Sequence, residues 1–134
     1  MGFHDFYRMS SHAVICNASG QVLLLKAAYA EHAWGLPGGG LDMGETIHEA
    51  LLRECYEELG CNIELDYLSG VYFHSTVISH AFIFKCSLAE NSQIQLSNEH
   101  SEYRWFNVDE LSEVQRIRVE DCLNFQGQVV SRAF

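Results

Sequence analysis

GGGLDMGETIHEALLRECYEELGC, residues 38–61, is the stretch around which the rest of the chain is organised. Thr46 and Glu49 have the spacing of a capping box, which is a strong helix start. Gly60 is a favourable helix stop, because glycine readily adopts the left-handed conformation just past a helix end. The pattern therefore predicts a glycine-rich turn at residues 38–40, followed by a helix over residues 46–59.

The charges of this helix are unfavourable for folding alone. Glu54 and Glu58 are a like-charged pair four residues apart, and Glu57 stands beside them at the negative end of the helix dipole. The three carboxylates follow the edge of the apolar stripe and can converge on one point, where hard oxygen ligands suit magnesium or manganese. A solvated acidic face is the alternative, since glutamate is a strong helix former. The apolar stripe consists of Ile47, Leu51, Cys55 and Leu59.

The three successive glycines indicate a place where the backbone must be bare or must adopt positive φ. A P-loop does not fit, because no Gly-Lys-Ser/Thr follows the glycines. The dinucleotide-binding fingerprint does not fit either, because the GxGxxG spacing is missing. The glycines therefore need a different explanation.

Reading from Gly39, the sequence has the form G-x5-E-x7-R-E-C-x-E-E-x-G-C. It resembles the Nudix box, G-x5-E-x7-R-E-U-x-E-E-x-G-U, in which U is a bulky aliphatic residue. Every fixed letter is present, and the resemblance extends weakly through the Trp34-Gly39 lead-in and a later Trp-Phe segment. The two U positions depart, because Cys55 and Cys61 are smaller than the usual residues. That departure concerns helix packing and leaves the acidic positions intact.

The resemblance implies an enzyme that uses divalent cations to hydrolyse a nucleoside diphosphate linked to another group. Mg²⁺ is the expected cofactor, with Mn²⁺ as a possible substitute. Glu54, Glu57 and Glu58 match the metal-binding glutamates, and Glu54 also matches the residue that activates water. Arg53 matches the arginine that braces these carboxylates, and Glu45 matches its partner.

Two further site features follow from the resemblance. The main-chain carbonyl of Gly38 matches another metal ligand, and Gly39 supports the site. Many relatives also bring an acid from a loop before a late tryptophan-bearing strand, and Glu99, six residues before Trp105, is the preferred match as a catalytic and metal-binding residue. Glu102 is the alternative, since it could pair with Arg53 or Arg104 instead.

Helical spacing adds a prediction about the arginine. Glu49 lies four residues before Arg53, in the favourable orientation for an ion pair. Arg53 is therefore expected to be shared among Glu45, Glu49 and Glu57.

Composition indicates one globular domain over residues 1–134, with 48% hydrophobic and 19% charged residues. The net charge of −10 argues against binding to nucleic acid or to an anionic membrane. Five scattered cysteines without a CxxC pair are typical of reduced thiols, and no apolar run is long enough for a membrane span. We therefore expect a cytoplasmic protein.

The remaining pattern predicts an α/β fold, specifically a Nudix-type α/β/α sandwich with a mixed central sheet. Residues 12–16 and 22–27 flank a turn at residues 17–20, which predicts an antiparallel hairpin, and the LLL run predicts a strand covered on both faces. Further strands are expected at residues 62–68, 71–73, 76–86 and 103–107, with helical spacing at residues 117–125.

The leading hypothesis is divalent-metal-dependent hydrolysis of a pyrophosphate bond in a nucleoside di- or triphosphate derivative. A catalytically silent Nudix-fold module for nucleotide binding or regulation is the alternative, and isomerase chemistry on an isoprenoid diphosphate is a third. The expected partner is a small nucleotide or nucleoside-diphosphate-linked molecule, and a homodimer is possible. The substrate-binding residues stay unknown. The aromatic side chains that could stack on a base are Trp34, Tyr72, Phe73 and Phe82, and the seven histidines show no metal-ligand spacing.

Overall fold

A computed structural model describes residues 2–29, 31 and 33–134 of the chain. Within these residues no helix is both long enough and apolar enough to cross a membrane. In chain order the elements are β1 (Arg8–Ile15), β2 (Val22–Ala27), β3 (Trp34–Gly35), β4 (Gly38–Gly40), α1 (Ile47–Leu59), β5 (Ile63–His74), β6 (Ser79–Leu88), β7 (His100–Phe106), a 3-10 turn (Val108–Glu110), α2 (Glu113–Leu123) and β8 (Val130–Ala133).

The strands form two sheets between the two helices. A five-stranded mixed sheet has the order β4-β1-β6-β5-β8, with β1 parallel to β6 and β5 parallel to β8. A smaller antiparallel sheet has the order β3-β2-β7. One apolar core lies under α1 and a second lies under α2. The predicted α/β/α sandwich with a mixed central sheet is confirmed.

The predicted hairpin of residues 12–16 and 22–27 is wrong. Its turn is present, since Gly20 has φ of +77° and the Asn17 carboxamide oxygen accepts hydrogen bonds from the backbone of Ser19 and Gln21. Beyond one bridge between Cys16 and Val22, however, β1 and β2 enter different sheets.

Burial on both faces explains the separation of β1 and β2. Leu23 and Leu25 of β2 pack in the core under α1, whereas Val22 and Leu24 pack in the core under α2. β2 is therefore covered on both faces, as the LLL run predicted, and both strands are central in their sheets. Each takes its long pairing from a distant strand, β6 for β1 and β7 for β2, and local turn chemistry carries no information about those partners.

Other boundaries also differ from the prediction. Residues 62–68 and 71–73 belong to one strand, β5, whose register shifts twice where it pairs with β6. Ser69 lies at the second of these shifts, and its buried hydroxyl donates to the Ile83 carbonyl at 3.0 Å. The turn at residues 75–78 moves the start of β6 to Ser79, and α2 begins and ends earlier than its spacing indicated.

Helix α1 follows the prediction closely. The Thr46 hydroxyl accepts from the Glu49 backbone at 3.1 Å, and the Glu49 carboxylate accepts from the Thr46 backbone at 2.9 Å. Gly60 ends the helix in the left-handed conformation, with φ of +67°. The apolar stripe is buried against the sheet, so the glutamate stripe beside it is turned towards the end of β4.

Candidate metal-binding active site

The predicted glycine turn is a short edge strand, β4, which pairs with β1. The prediction of a bare backbone is nevertheless correct. Gly38 has φ of +137°, and a Cβ there would overlap the Ser11 carbonyl and lie 2.7 Å from the His12 Cα. A Cβ on Gly39 would lie 2.6 Å from the carboxyl carbon of Glu54. Only glycine at both positions allows β4 to pair with β1 on one side while a carboxylate rests on its backbone.

Glu58 is the most buried acid of the site, with a side chain 7% exposed. One of its oxygens accepts a hydrogen bond from the Gly38 backbone at 2.7 Å. The pKa of Glu58 is raised to about 8 by burial and by the negative charges of Glu54, Glu99 and Glu57, against the lowering effect of that hydrogen bond. Glu58 is therefore held rigidly in a place where its own charge is unfavourable.

Glu54 lies directly on the backbone of Gly39, and its side chain is 18% exposed. Burial raises the pKa of Glu54, the hydrogen bond from Arg53 lowers it, and the charges of Glu57 and Glu99 raise it again. The carboxylate is thus partly desolvated, oriented by one donor, and close to other acids. These are properties expected of a residue that binds a cation or accepts a proton.

Arg53 braces the cluster. Its guanidinium binds the Glu45 carboxylate through two hydrogen bonds, at 2.6 and 2.8 Å, and these bonds lower the pKa of Glu45 to about 2. It also donates to Glu54 at 3.0 Å, to Glu57 at 3.3 Å and to the Gly40 carbonyl at 3.0 Å. Arg53 therefore ties the loop before α1, the helix itself and the edge strand into one unit.

The expected sharing of Arg53 is correct for Glu45 and Glu57 and wrong for Glu49. The Glu49 carboxylate is used by the capping box instead. Asp42, which the sequence analysis did not single out, lies 3.4 Å from the Arg53 Nε atom. Its position in the loop between β4 and α1 brings it there, although the box pattern does not specify that residue.

The two loop acids separate clearly. Glu99 precedes β7 and lies close enough to Glu54 and Glu58 for its charge to raise both of their pKa values. Its backbone carbonyl accepts from Ala28 at 2.9 Å, which anchors the loop to the end of β2. Glu102 instead faces Lys26 across the sheet, with 3.6 Å between their charged atoms. The structure therefore brings Glu99 to the carboxylates and leaves Glu102 outside the site.

His100 is a site neighbour that sequence reasoning missed. Its side chain is 12% exposed, and its Nε2 atom lies 3.7 Å from the Glu58 carboxylate. Its Nδ1 atom is buried without a hydrogen-bond partner among the described residues. The available signal was its position next to Glu99, the preferred loop acid.

Fold and site together define a class of protein: an α/β/α sandwich that gathers carboxylates at one helix and one loop beside a glycine edge strand. The NUDIX domain model matches residues 6–122. A MutT-like protein from Streptomyces ambofaciens is 33% identical over 125 residues, which cover 90% of this chain and 80% of that protein. This chain belongs to the Nudix family, as its resemblance to the Nudix box implied.

Two other similarities are more limited, the first in its length and the second in its sequence identity. An RNA pyrophosphohydrolase from Vibrio atlanticus is 50% identical over 56 residues, which cover 42% of this chain and only 32% of that protein. The crystal structure of an ADP-ribose pyrophosphatase from Streptococcus suis superposes with a TM-score of 0.78 at 18% identity, covering 96% of this chain and all of the other. The second similarity shows a shared fold.

Proposed function

We propose that this Nudix enzyme hydrolyses a pyrophosphate bond in a nucleoside di- or triphosphate derivative, and that it needs Mg²⁺ or Mn²⁺ to do so. The observation that carries the proposal is the placement of Glu54 against the backbone of Gly39 and of Glu58 on the N–H of Gly38. Glu99 lies near enough for its charge to raise the pKa of both. The similarity to proteins named pyrophosphohydrolase and ADP-ribose pyrophosphatase supports this class of reaction.

The chemistry of the donor set fits a divalent cation. Several carboxylates share one bracing arginine, and burial makes ionised Glu58 unfavourable until a positive charge compensates it. In residues 2–29, 31 and 33–134, no three acidic, histidine or cysteine side chains are grouped closely enough to hold a metal ion as they stand. Glu57 is turned to Arg53 and its side chain is 58% exposed, so rotation of this carboxylate is the simplest way to complete the ligand set.

The chain's own groups have separate tasks in this proposal. A bound cation would neutralise charge on the phosphate oxygens and acidify a water molecule. Glu54 or Glu99 accepts the proton of the attacking water, a step worth on the order of a hundredfold or more. Gly38 holds Glu58 through its N–H, and Arg53 prevents Glu54 from turning away. Glu57 and Glu58, together with the Gly38 carbonyl, are the remaining proposed ligands.

A small nucleotide substrate is favoured over nucleic acid by the net charge of −10. A catalytically silent module would not require the complete set of box carboxylates, all of which this sequence contains. A homodimer and a cytoplasmic location stay predictions.

A substrate panel with and without metal tests the proposal. Release of phosphate or pyrophosphate is measured from nucleoside triphosphates, dinucleoside polyphosphates and nucleoside-diphosphate sugars. We expect Mg²⁺-dependent turnover, lost in Glu57→Gln and unchanged in Glu64→Gln, whose side chain is exposed on β5. Full activity of Glu57→Gln at saturating Mg²⁺, or turnover in metal-free buffer, would contradict the proposal.

A further inference from the structure

Arg118 of α2 is a partly buried cation on the opposite side of the sheet from α1. Its Nη1 atom donates to His74 Nε2 at 3.2 Å, and its Nε and Nη2 atoms donate to the Gln115 side-chain oxygen at 3.1 and 2.5 Å. The charge of Arg118 also reaches His12 of β1 and lowers that residue's pKa. Arg118, His74 and His12 are called the basic recess below.

The basic recess lacks a compensating acid. Among the described residues, no carboxylate lies within 4.0 Å of a charged nitrogen of Arg118. Asp121, almost one turn further along α2, accepts two hydrogen bonds from Arg132, at 2.8 and 2.9 Å, and a third from the Tyr72 hydroxyl. Asp121, the acid three residues after Arg118 on α2, is therefore engaged by other donors.

Burial makes the uncompensated charge unfavourable. It lowers the pKa of Arg118 to about 10, and together with the charge of Arg118 it lowers the pKa of His12 to about 3. The pKa of His74 is lowered by the same two causes. A desolvated cation without a partner is costly, so its presence in a chain of net charge −10 calls for an anion that the protein itself does not supply.

The geometry leaves donors available for such an anion. A guanidinium has five N–H groups, and three of those of Arg118 point to Gln115 and His74. Two remain, and a pair of N–H groups from one guanidinium matches two oxygens of a phosphate or carboxylate.

The basic recess adjoins the candidate active site through β4. His12 pairs with Gly38, whose N–H holds Glu58, and Ser10 pairs with Gly40, whose carbonyl accepts from Arg53. The acidic and basic clusters are thus each connected to the same three-residue strand.

We propose that the basic recess binds an oxoanion of the substrate, a phosphate or a carboxylate, other than the pyrophosphate group that is hydrolysed. The assignment to the substrate rests on the proposed function, whereas the binding of an oxoanion does not. Arg118 is the main donor, and His74 and Gln115 orient its guanidinium.

Binding is tested first on metal-free protein, in which the carboxylate cluster repels anions. Thermal unfolding is followed in sodium phosphate, sodium acetate and sodium chloride at equal ionic strength. Wild type should gain about 5 °C or more in phosphate or acetate relative to chloride at a hundredfold excess over Kd. The anion that gives the larger gain in melting temperature is the preferred oxoanion.

Matched variants separate specific binding from general salt effects, since phosphate also stabilises proteins nonspecifically. Arg118→Met should lose the additional gain, and Arg116→Met should keep it. Arg116 lies on the same helix, is more exposed, and pairs with Glu120 at 3.5 Å. If Arg118→Met does not fold, Arg118→Lys, which keeps the charge but not the paired donors, replaces it. An equal gain in wild type and the Arg118 variant, or no gain in wild type, would overturn the inference.

Assignment to the substrate is tested by competition. With the nucleotide that is turned over fastest, the preferred anion should raise KM without lowering kcat in wild type and in Arg116→Met. In Arg118→Met the starting KM should be raised about tenfold or more, and the anion should have little further effect. Anion binding that leaves KM unchanged would refute the substrate assignment. An inactive protein that still binds anions through Arg118 would refute the proposed function alone.

Discussion

Replacement of Glu58 by glutamine should stabilise the metal-free protein. The pKa of Glu58 is raised from 4.5 to about 8, so the folded state holds this proton more tightly than the unfolded state does. The stability contribution of an acid with a raised folded pKa falls as pH rises from 4.5 to 8, and it is constant above that range. Relative to a side chain that stays neutral, Glu58 therefore lowers the free energy of unfolding by at most about 3 kcal/mol at pH 7 and about 5 kcal/mol at pH 9.

The structure indicates that glutamine removes this cost without losing the main contact. Its side-chain oxygen can still accept the hydrogen bond from the Gly38 backbone, which measures 2.7 Å. Urea unfolding of metal-free protein between pH 5 and 9 measures the effect. Wild type should lose stability relative to Glu58→Gln across this range, and Glu57→Gln should follow wild type because its side chain is 58% exposed.

The same variant tests the link between the buried charge and the cation. Mg²⁺ or Mn²⁺ should raise the Tm of wild type, and Glu58→Gln should abolish that increase. Parallel pH profiles for wild type and Glu58→Gln would refute the argument that burial of this carboxylate is costly. An unchanged metal response in Glu58→Gln would show that Glu58 is not a ligand of the stabilising cation.

Three further predictions concern the site and its support. Gly39→Ala should lower kcat about tenfold or more with little change in circular dichroism, because the new Cβ displaces the Glu54 carboxylate; wild-type kcat would contradict this. Glu99→Gln should lower kcat by about a hundredfold while Glu102→Gln stays within about twofold, and the reverse order in steady-state assays would assign the role to Glu102. Gly60→Ala should lower the free energy of unfolding by about 1–2 kcal/mol, because φ is +67° and a backbone oxygen lies 2.7 Å from the new Cβ; unchanged denaturant midpoints would disprove it.

The features that sequence predicted well are local ones. Capping by Thr46 and Glu49, termination at Gly60, and the stripe of carboxylates on α1 depend on spacings of a few residues. The need for a bare backbone at Gly38 and Gly39 was also readable, because three glycines in succession are costly without a structural reason. The box pattern connected these features to a family and therefore to a fold.

Tertiary structure decided what depends on distant partners. The choice between Glu99 and Glu102 follows from the register of β7 on β2, which points Glu102 at Lys26. The placement of β1 and β2 in different sheets follows from two-sided burial, since each strand needs neighbours that no turn specifies. Nothing in the sequence distinguishes Arg118 from the other residues of α2. Its separation from acidic side chains follows from the way α2 packs on the sheet.

The sequence by itself therefore determined the need for a bare backbone at the glycines, the acidic helix and the family, because helix geometry converts spacing directly into a face. Only the tertiary structure decided which loop acid joins that face, which acids Arg53 holds, and where an unpaired cation remains. Those contacts join residues far apart in the chain, and their geometry is set by strand register and by packing in the two cores.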